Sequence, residues 1–144
     1  MSRKFFEILE IVLIAFVKVS VVAALLLIDV SGAYAQEPKL SREFSECMDN
    51  SGSVTVEMIN CIVAETKRQD ARLNKVYNKL LMQLSPARKA TLREAQRAWI
   101  KFRDTNCLFY ADPEGGTMVT VISNDCYMVA SAARADELED FLQR

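Results

Sequence analysis

Apolar side chains recur at helical spacing over the stretch from Thr55 to Leu84. A repeat near 3.6 residues is typical of an amphipathic helix that turns one face to the core. The turn cluster Asn50-Ser51-Gly52-Ser53 precedes this stretch. The pattern predicts a first long helix, and the residues that share its inward face are Ile59, Ile62, Val63, Thr66, Leu73, Tyr77, Leu80, Leu81 and Leu84.

Ser85 and Pro86 mark the boundary to a second helix. A serine at the N-cap accepts a hydrogen bond from the first turn, and proline suits the first helical position. The inward stripe of this second helix consists of Leu92, Ala95, Trp99, Phe102 and Asn106. The helix is expected to end near Cys107, and the short break predicts an antiparallel hairpin.

Residues 108–124 contain Pro113 and the pair Gly115-Gly116, so they are expected to form a long loop. Within them, Met118 to Ile122 is a short candidate strand. A third helix is expected from Cys126 to Leu142, capped by Asn124 or Asp125. Its inward residues are Tyr127, Ala130, Leu138 and Phe141. The predicted fold class is all-α, a helical hairpin with a third helix packed on it.

The N-terminus has the pattern of an export signal. Arg3 and Lys4 precede an apolar stretch from Ile11 to Ile28, and Ala33-Tyr34-Ala35 is a small-x-small cleavage motif. Cleavage is predicted after Ala35. A membrane anchor is the alternative, because a mostly apolar stretch of this length is near the minimum for spanning a bilayer. Lys18 near its centre would be costly in a permanent span.

The expected organisation is a signal peptide (1–35), a flexible lead-in (36–46) and one helical domain (47–144), located in the periplasm or secreted. The chain has 18 basic and 19 acidic residues, which argues against nucleic acid as a partner. It contains no histidine, which excludes histidine-based catalysis and histidine metal ligands. No cofactor, no metal and, after signal cleavage, no membrane contact is expected.

All four cysteines (Cys47, Cys61, Cys107 and Cys126) follow the cleavage site. An even number of cysteines in an exported chain predicts disulfides. In an up-down-up bundle all four lie near one pole, so spacing leaves three pairings open. The local pairs Cys47–Cys61 and Cys107–Cys126 are favoured, because they close loops of ordinary length. The wide spacings disfavour a zinc site, and the absence of Cys-x-x-Cys disfavours a redox site.

Polar side chains interrupt the apolar faces of the predicted helices. At 100° per residue, Asp70 lies about 20° from Tyr77 on the first helix, and Arg103 lies about 40° from Trp99 on the second. Folding the hairpin at Ser85-Pro86 brings Asp70 level with Arg103.

The same folding brings Asn74 level with Gln96 or Arg97, and Arg134 lies in the apolar stripe of the third helix. A partly buried polar ladder that fixes the register of the hairpin is therefore predicted. Its members are Asp70, Asn74, Gln96, Arg103 and Arg134.

Several of these residues form a pattern that resembles a known family. The matching segments are Asp70-x-x-Leu73-Asn74-x-x-Tyr77, Ala95-Gln96-Arg97-Ala98-Trp99-Ile100-x-Phe102-Arg103-Asp104-x-x-Cys107, Gly115-Gly116-Thr117, Cys126 and Arg134. Together they resemble the LprI-like lysozyme-inhibitor family of small exported bacterial proteins, over about residues 44–142. Two departures are Ser131, where the family usually has threonine, and the absence of a lipidation cysteine, which favours a soluble periplasmic form.

The resemblance implies a binding protein, not an enzyme, with a c-type lysozyme as its protein partner. The candidate partner-binding loop contains Asp112, Glu114, Gly115, Gly116 and Thr117. Its acidic groups suit a basic lysozyme, and a loop anchored at both ends loses little entropy on docking.

Two other functions remain open. A structural or accessory protein of the envelope, without lysozyme contact, suits the same helical scaffold. An enzyme would require paired carboxylates in a cleft, such as Glu65 or Asp70 with Glu94, and the spacing does not demand such a pair. The oligomeric state is not predicted.

Overall fold

The computed structural model describes residues 37–144, and this part of the chain contains four helices. They are α1 (Arg42–Asn50), α2 (Thr55–Gln83), α3 (Pro86–Phe109) and α4 (Thr117–Gln143). Residues 37–144 contain no strand, so the predicted all-α class is confirmed. None of these four helices is both long and apolar enough to cross a membrane. The predicted signal peptide, its cleavage after Ala35 and the alternative anchor lie outside the described residues.

The hairpin between α2 and α3 turns at the predicted position. The Ser85 side chain accepts a hydrogen bond from the Arg88 backbone N–H at 3.5 Å, and Pro86 is the first residue of α3. Ser85 itself is extended, with φ −64° and ψ 159°. This conformation is the one that a following proline favours, because the proline ring disfavours a helical residue before it. Local chemistry therefore explains this boundary.

The core lies mainly between α2 and α4. Leu73 and Leu80 of α2 are buried in one apolar cluster with Leu138 of α4, and Ile62 is buried in a second cluster with Met128. Each fully buried side chain of this size contributes roughly 1.5–3 kcal/mol.

The pairing of early α2 with early α4 shows that these two helices run in the same direction. α3 returns antiparallel to them and lies closer to α4 than to α2. Only Cys107 of α3 is buried, while Leu92 and Trp99 are partly buried against the core. The third predicted helix, α4, therefore packs most closely on the first predicted helix, α2. The second predicted helix, α3, is more peripheral.

The lead-in is shorter than predicted, because residues 42–46 belong to α1. The Ser41 side chain caps this helix by accepting a hydrogen bond from the Phe44 N–H at 3.1 Å. Phe44 and Met48 pack on the cluster around Ile62. A nine-residue helix is marginal alone. Its stability comes from this packing and from a disulfide, neither of which the apolar period reveals.

The predicted loop 108–124 is also shorter, because α3 continues to Phe109 and α4 already begins at Thr117. The candidate strand from Met118 to Ile122 is helical. β-Branched residues in this segment favour a strand locally, but tertiary contacts override such propensities. Val121 is buried against the α2 cluster, and the buried Ser123 hydroxyl donates to the Cys107 carbonyl at 2.9 Å.

The structure joins the two cysteine pairs that the sequence favours. Cys47 and Cys61 link α1 to α2 with a Cα–Cα distance of 5.7 Å, and Cys107 and Cys126 link α3 to α4 with 5.4 Å. None of the four cysteines is free. Both bonds lie toward the same end of the bundle, because Ile62, next to Cys61, packs with residues on either side of Cys126.

Candidate functional site

The charged rung of the ladder joins all three long helices. The Arg103 Nη1 atom of α3 lies 3.3 Å from Asp70 Oδ1 of α2 and 3.1 Å from Ser131 Oγ of α4. Ser131 in turn donates its hydroxyl proton to Asp70 Oδ1 at 2.8 Å. A threonine at position 131 would carry the same hydroxyl, so this departure from the family pattern retains the donor. The arrangement holds the register of three helices at one level.

Aromatic rings surround the two ladder arginines. The Arg103 guanidinium carbon lies 5.1 Å from the Trp99 ring centroid and 5.7 Å from that of Tyr127. The Arg134 guanidinium carbon lies 5.9 Å from the same Trp99 ring. Cation–π contacts of this kind contribute about 0.5–2 kcal/mol. With 17% of its side chain exposed and its charge paired, Arg103 fits a structural role better than a catalytic one.

The predicted rung between Asn74 and Gln96 does not form. Asn74 is exposed, and Gln96 instead accepts a hydrogen bond from Arg134 Nε at 3.1 Å. The prediction was wrong because it folded α3 onto α2 alone. Since α3 lies closer to α4, its inward amide meets a residue of α4, and Arg134 also reaches Glu137 at 2.6 Å.

A buried carboxylate, Glu65, organises the N-terminal segment. Its side chain is 0% exposed. It accepts hydrogen bonds from the Ser41 backbone N–H at 2.8 Å and hydroxyl at 2.5 Å, from Gln69 at 2.7 Å and from Arg68 at 2.7 Å. Burial acts to raise the pKa of Glu65, but these hydrogen bonds outweigh it and lower the pKa from 4.5 to about 2. The carboxylate stays ionised and fully occupied, which fits a structural role.

Sequence reasoning missed this network and a second one. Arg72 of α2 bonds Glu139 of α4 through Nε at 2.9 Å and also pairs with Asp136. The hydrogen bonds from Arg72 are the main cause that lowers the pKa of Glu139. The spacing of Glu65 and Gln69, four residues apart on an apolar face, was the available signal for the first network. The second network had no local signal, because its partners are far apart in sequence.

The predicted partner-binding loop is a tight turn between α3 and α4. The Asp112 carboxylate accepts a hydrogen bond from the Glu114 N–H at 2.9 Å, and the Asp112 carbonyl accepts from the Gly115 N–H at 3.1 Å. Gly116 adopts φ +74°, which glycine tolerates at no steric cost. Thr117 is the first residue of α4 and so lies at the edge of this turn. The structure thus keeps these five residues together in an exposed segment.

An exposed apolar surface adjoins this turn. Two shallow grooves share Asn106: one contains Phe102 and Phe109, and the other contains Tyr110 and Ile122. Phe109 is 81% exposed and its ring makes an edge contact with Tyr110, at a centroid distance of 5.7 Å. We call the surface formed by Phe102, Phe109, Tyr110, Ile122 and Val129 the acidic apolar patch. It includes the carboxylates of Asp125, which lines the second groove, and of Asp112 and Glu114, which follow Tyr110 in the chain.

The charge of this region is one-sided. Residues 104–133 contain four carboxylates, those of Asp104, Asp112, Glu114 and Asp125, and no lysine or arginine. Burial raises the pKa of Asp125, which lines the groove beside Tyr110. The near-neutral chain thus has an acidic, apolar end that its total charge does not reveal. Such a surface suits a basic protein better than an anionic one.

Comparisons with known proteins agree with this geometry. A family model described as "Lysozyme inhibitor LprI" matches residues 47–138. This range begins at the first disulfide cysteine and includes both disulfides, the ladder and the turn. The chain is also similar to an uncharacterised protein of Rhizobium meliloti (strain 1021), with 25% identity over 134 residues that cover 83% of this chain and 91% of the other protein. No solved structure matches the chain significantly.

Proposed function

This chain belongs to the LprI family of lysozyme inhibitors, and we propose on that premise that it is an exported protein that inhibits lysozyme by direct contact. The inhibitory surface of the proposal is the acidic apolar patch. No bond is made or broken by the inhibitor, which acts by covering part of the enzyme.

The observation that carries the proposal is the coincidence of exposed aromatic rings and unpaired acidity in the patch. Phe102 is 65% exposed and Phe109 is 81% exposed, which is unusual for phenylalanine outside an interface. Large aromatic anchors dominate the binding energy of many protein interfaces. Carboxylates at the rim favour association with a basic partner, and c-type lysozymes are basic.

The patch is also rigidly supported. The Cys107–Cys126 disulfide ties the end of α3 to α4 beneath it. A β-carbon added to Gly115 would overlap Val119 Cγ2, so the turn packs closely on the first turn of α4. A pre-organised surface loses less conformational entropy on binding than a mobile one. This support favours tight binding by a small protein.

Export is part of the proposal. Disulfides are typical of oxidising compartments. All four cysteines of the chain are paired, in two disulfides. The basic start, apolar stretch and Ala33-Tyr34-Ala35 motif of the N-terminus agree with delivery to the periplasm or the exterior. There the inhibitor would meet a lysozyme that attacks the cell wall.

The test is a lysozyme assay with variants of the exposed surface. Oxidised full-length protein, produced by export in a bacterial host, is titrated against hen egg-white lysozyme that clears a suspension of bacterial cell walls. Inhibition is expected, and Phe109→Ala is expected to weaken it by about tenfold or more, the equivalent of about 1.4 kcal/mol. The double charge reversal Asp112→Lys with Glu114→Lys is expected to weaken it further and to reduce its dependence on salt.

Matched controls separate the patch from general effects. Met82→Ala removes an exposed apolar side chain at the other end of the bundle, and Asp140→Lys reverses an exposed charge there. Both variants are expected to inhibit like the unaltered protein. Full lysozyme activity at excess protein would reject the proposal and leave the envelope accessory role. Equal losses in the patch and control variants would reject the patch as the contact surface.

A further inference from the structure

A second concave surface lies at the opposite end of the bundle from the disulfides. It is a groove of about 650 Å³ between the ends of α2 and α4 and the first half of α3. Its floor contains Leu80 and Leu138, which are buried in the core, and Leu84, Leu92 and Phe141 extend its apolar wall. Sites for small molecules have volumes of roughly 300–1,000 Å³. The groove is thus of the right size for a small molecule with an apolar part.

Three guanidinium groups line this apolar groove, against one carboxylate. Arg88, Arg134 and Arg144 line it together with Glu137. Glu137 is paired with Arg134 Nη1 at 2.6 Å. Neither Arg88 nor Arg144 has an ion-pair partner among residues 37–144. The unpaired Arg88 therefore places a positive charge beside an apolar floor.

Arg134 is only 9% exposed and still has donor capacity left. Its Nε and Nη1 atoms bond Gln96 and Glu137, whereas Nη2 has no hydrogen-bond partner within the described part of the chain. No buried side-chain donor of residues 37–144 lacks a partner, so Nη2 is open to water and can bond an acceptor that enters the groove. Arg88 also lines the groove, and its guanidinium has no ion-pair partner among residues 37–144.

We propose that this groove binds a long-chain carboxylate, with its hydrocarbon chain on the leucine floor and its head group against Arg88 and Arg134. Guanidinium groups bind carboxylates with charge-assisted, often bidentate, hydrogen bonds. The leucine floor takes the chain out of water. A small molecule fits better than a protein partner, because a concave groove with an apolar floor and few polar groups is typical of small-molecule sites.

The proposal does not depend on lysozyme inhibition, and its test uses no lysozyme. Dodecanoate is titrated into the oxidised full-length protein by calorimetry, below the concentration at which it forms micelles. Saturable binding at one site is expected. Dodecanol, which lacks the charge, and dodecyltrimethylammonium, which reverses it, are each expected to bind at least about tenfold more weakly.

Variants locate the binding in the groove. Arg88→Glu is expected to weaken dodecanoate binding by about tenfold or more, and Thr91→Trp is expected to block the groove with a bulky ring. Both positions are exposed, so the fold is expected to persist, which circular dichroism checks. Arg93→Glu makes the same charge change on α3 outside the groove and is expected to leave the affinity within about twofold. Absence of binding, equal binding of dodecanol, or equal losses in Arg88→Glu and Arg93→Glu would each overturn the proposal.

Discussion

Single side chains hold this small domain in register. Arg103 links α3 to Asp70 of α2 and to Ser131 of α4, and it lies over the Trp99 ring. Asp70 is 43% exposed, so solvent weakens the ion pair, but the shared hydroxyl and the ring contacts lie deeper. Glu65 acts in the same way on the N-terminal segment. The cost of losing each residue is therefore set by the partners that it leaves unpaired.

The ladder predicts a difference between two neighbouring arginines. Arg103→Ala is expected to lower the free energy of unfolding by about 1–3 kcal/mol, because Ser131 loses its donor and Asp70 keeps only the Ser131 hydroxyl. Arg97→Ala, on the exposed side of α3, is expected to change it by less than about 0.5 kcal/mol. Urea unfolding followed by circular dichroism measures both. Equal midpoints for the two variants would contradict the structural role of Arg103.

Glu65 predicts a loss of stability in acid. Its pKa is lowered from 4.5 to about 2 in the folded protein. Its contribution is therefore fully present above the unfolded-state pKa and is lost as the pH falls from about 4.5 toward 2. The contribution is on the order of 3 kcal/mol.

Unfolding free energies of the unaltered protein and Glu65→Gln, measured from neutral pH to acid, test this prediction. The variant is expected to be less stable at neutral pH and to depend less on pH. Parallel pH curves for the two proteins would show that another carboxylate causes the acid sensitivity. Glu46→Gln, on the exposed surface of α1, provides the control.

At the scale of elements, two boundaries depend on contacts with a neighbouring helix as well as on local sequence. α4 begins at Thr117 because Val121 enters the core and Ser123 bonds the end of α3. α1 forms because Ser41 caps it and also reaches Glu65 of α2. Both segments gain their helical state from the neighbouring helix, so a change at either contact is expected to act on the element as a whole.

The turn before α4 predicts a coupled pair of substitutions. Gly115→Ala is expected to destabilise the protein by about 1–3 kcal/mol, because its new β-carbon would overlap Val119 Cγ2. Val119→Ala removes that methyl group. In a double-mutant cycle, the cost of Gly115→Ala is expected to be smaller in the Val119→Ala background. Additive costs would show that the two residues do not meet as the structure places them.

At the scale of the whole molecule, both disulfides are expected to stabilise the fold, and one of them also supports the proposed binding surface. Each closes a loop of similar length, with sequence separations of 14 and 19. Each is therefore expected to contribute about 3 kcal/mol to stability. Only Cys107–Cys126 lies beneath the acidic apolar patch, beside Tyr110 and Ile122.

Removing the disulfides one at a time tests this division. Replacing Cys107 and Cys126 by serine is expected to weaken lysozyme inhibition under conditions where the protein stays folded. Replacing Cys47 and Cys61 by serine is expected to cost similar stability and to leave inhibition unchanged. Thermal melts and the cell-wall clearing assay measure the two effects. Equal losses of inhibition would show that the second disulfide has no special relation to the binding surface.

The sequence by itself determined the all-α class, the hairpin at Ser85-Pro86 and the family. These depend on local signals, namely apolar period, capping chemistry and a contiguous motif. The alignment of Asp70 with Arg103 also follows from helical geometry, since both helices start from one fixed turn. Sequence alone did not locate the start of α4, because the β-branched residues after Thr117 favour a strand locally. Burial of Val121 in the core favours the helix instead.

Only the tertiary structure decided which helices touch. It placed α4 against α2 and left α3 peripheral, so Gln96 met Arg134 instead of Asn74. The same arrangement gathered Glu65 with Ser41, left Phe102 and Phe109 exposed, and opened the groove beside Arg88. Helical period gives the direction of each side chain around its own axis but not the distance to a neighbouring helix. Buried charges and open surfaces depend on that distance, which packing of the whole chain sets.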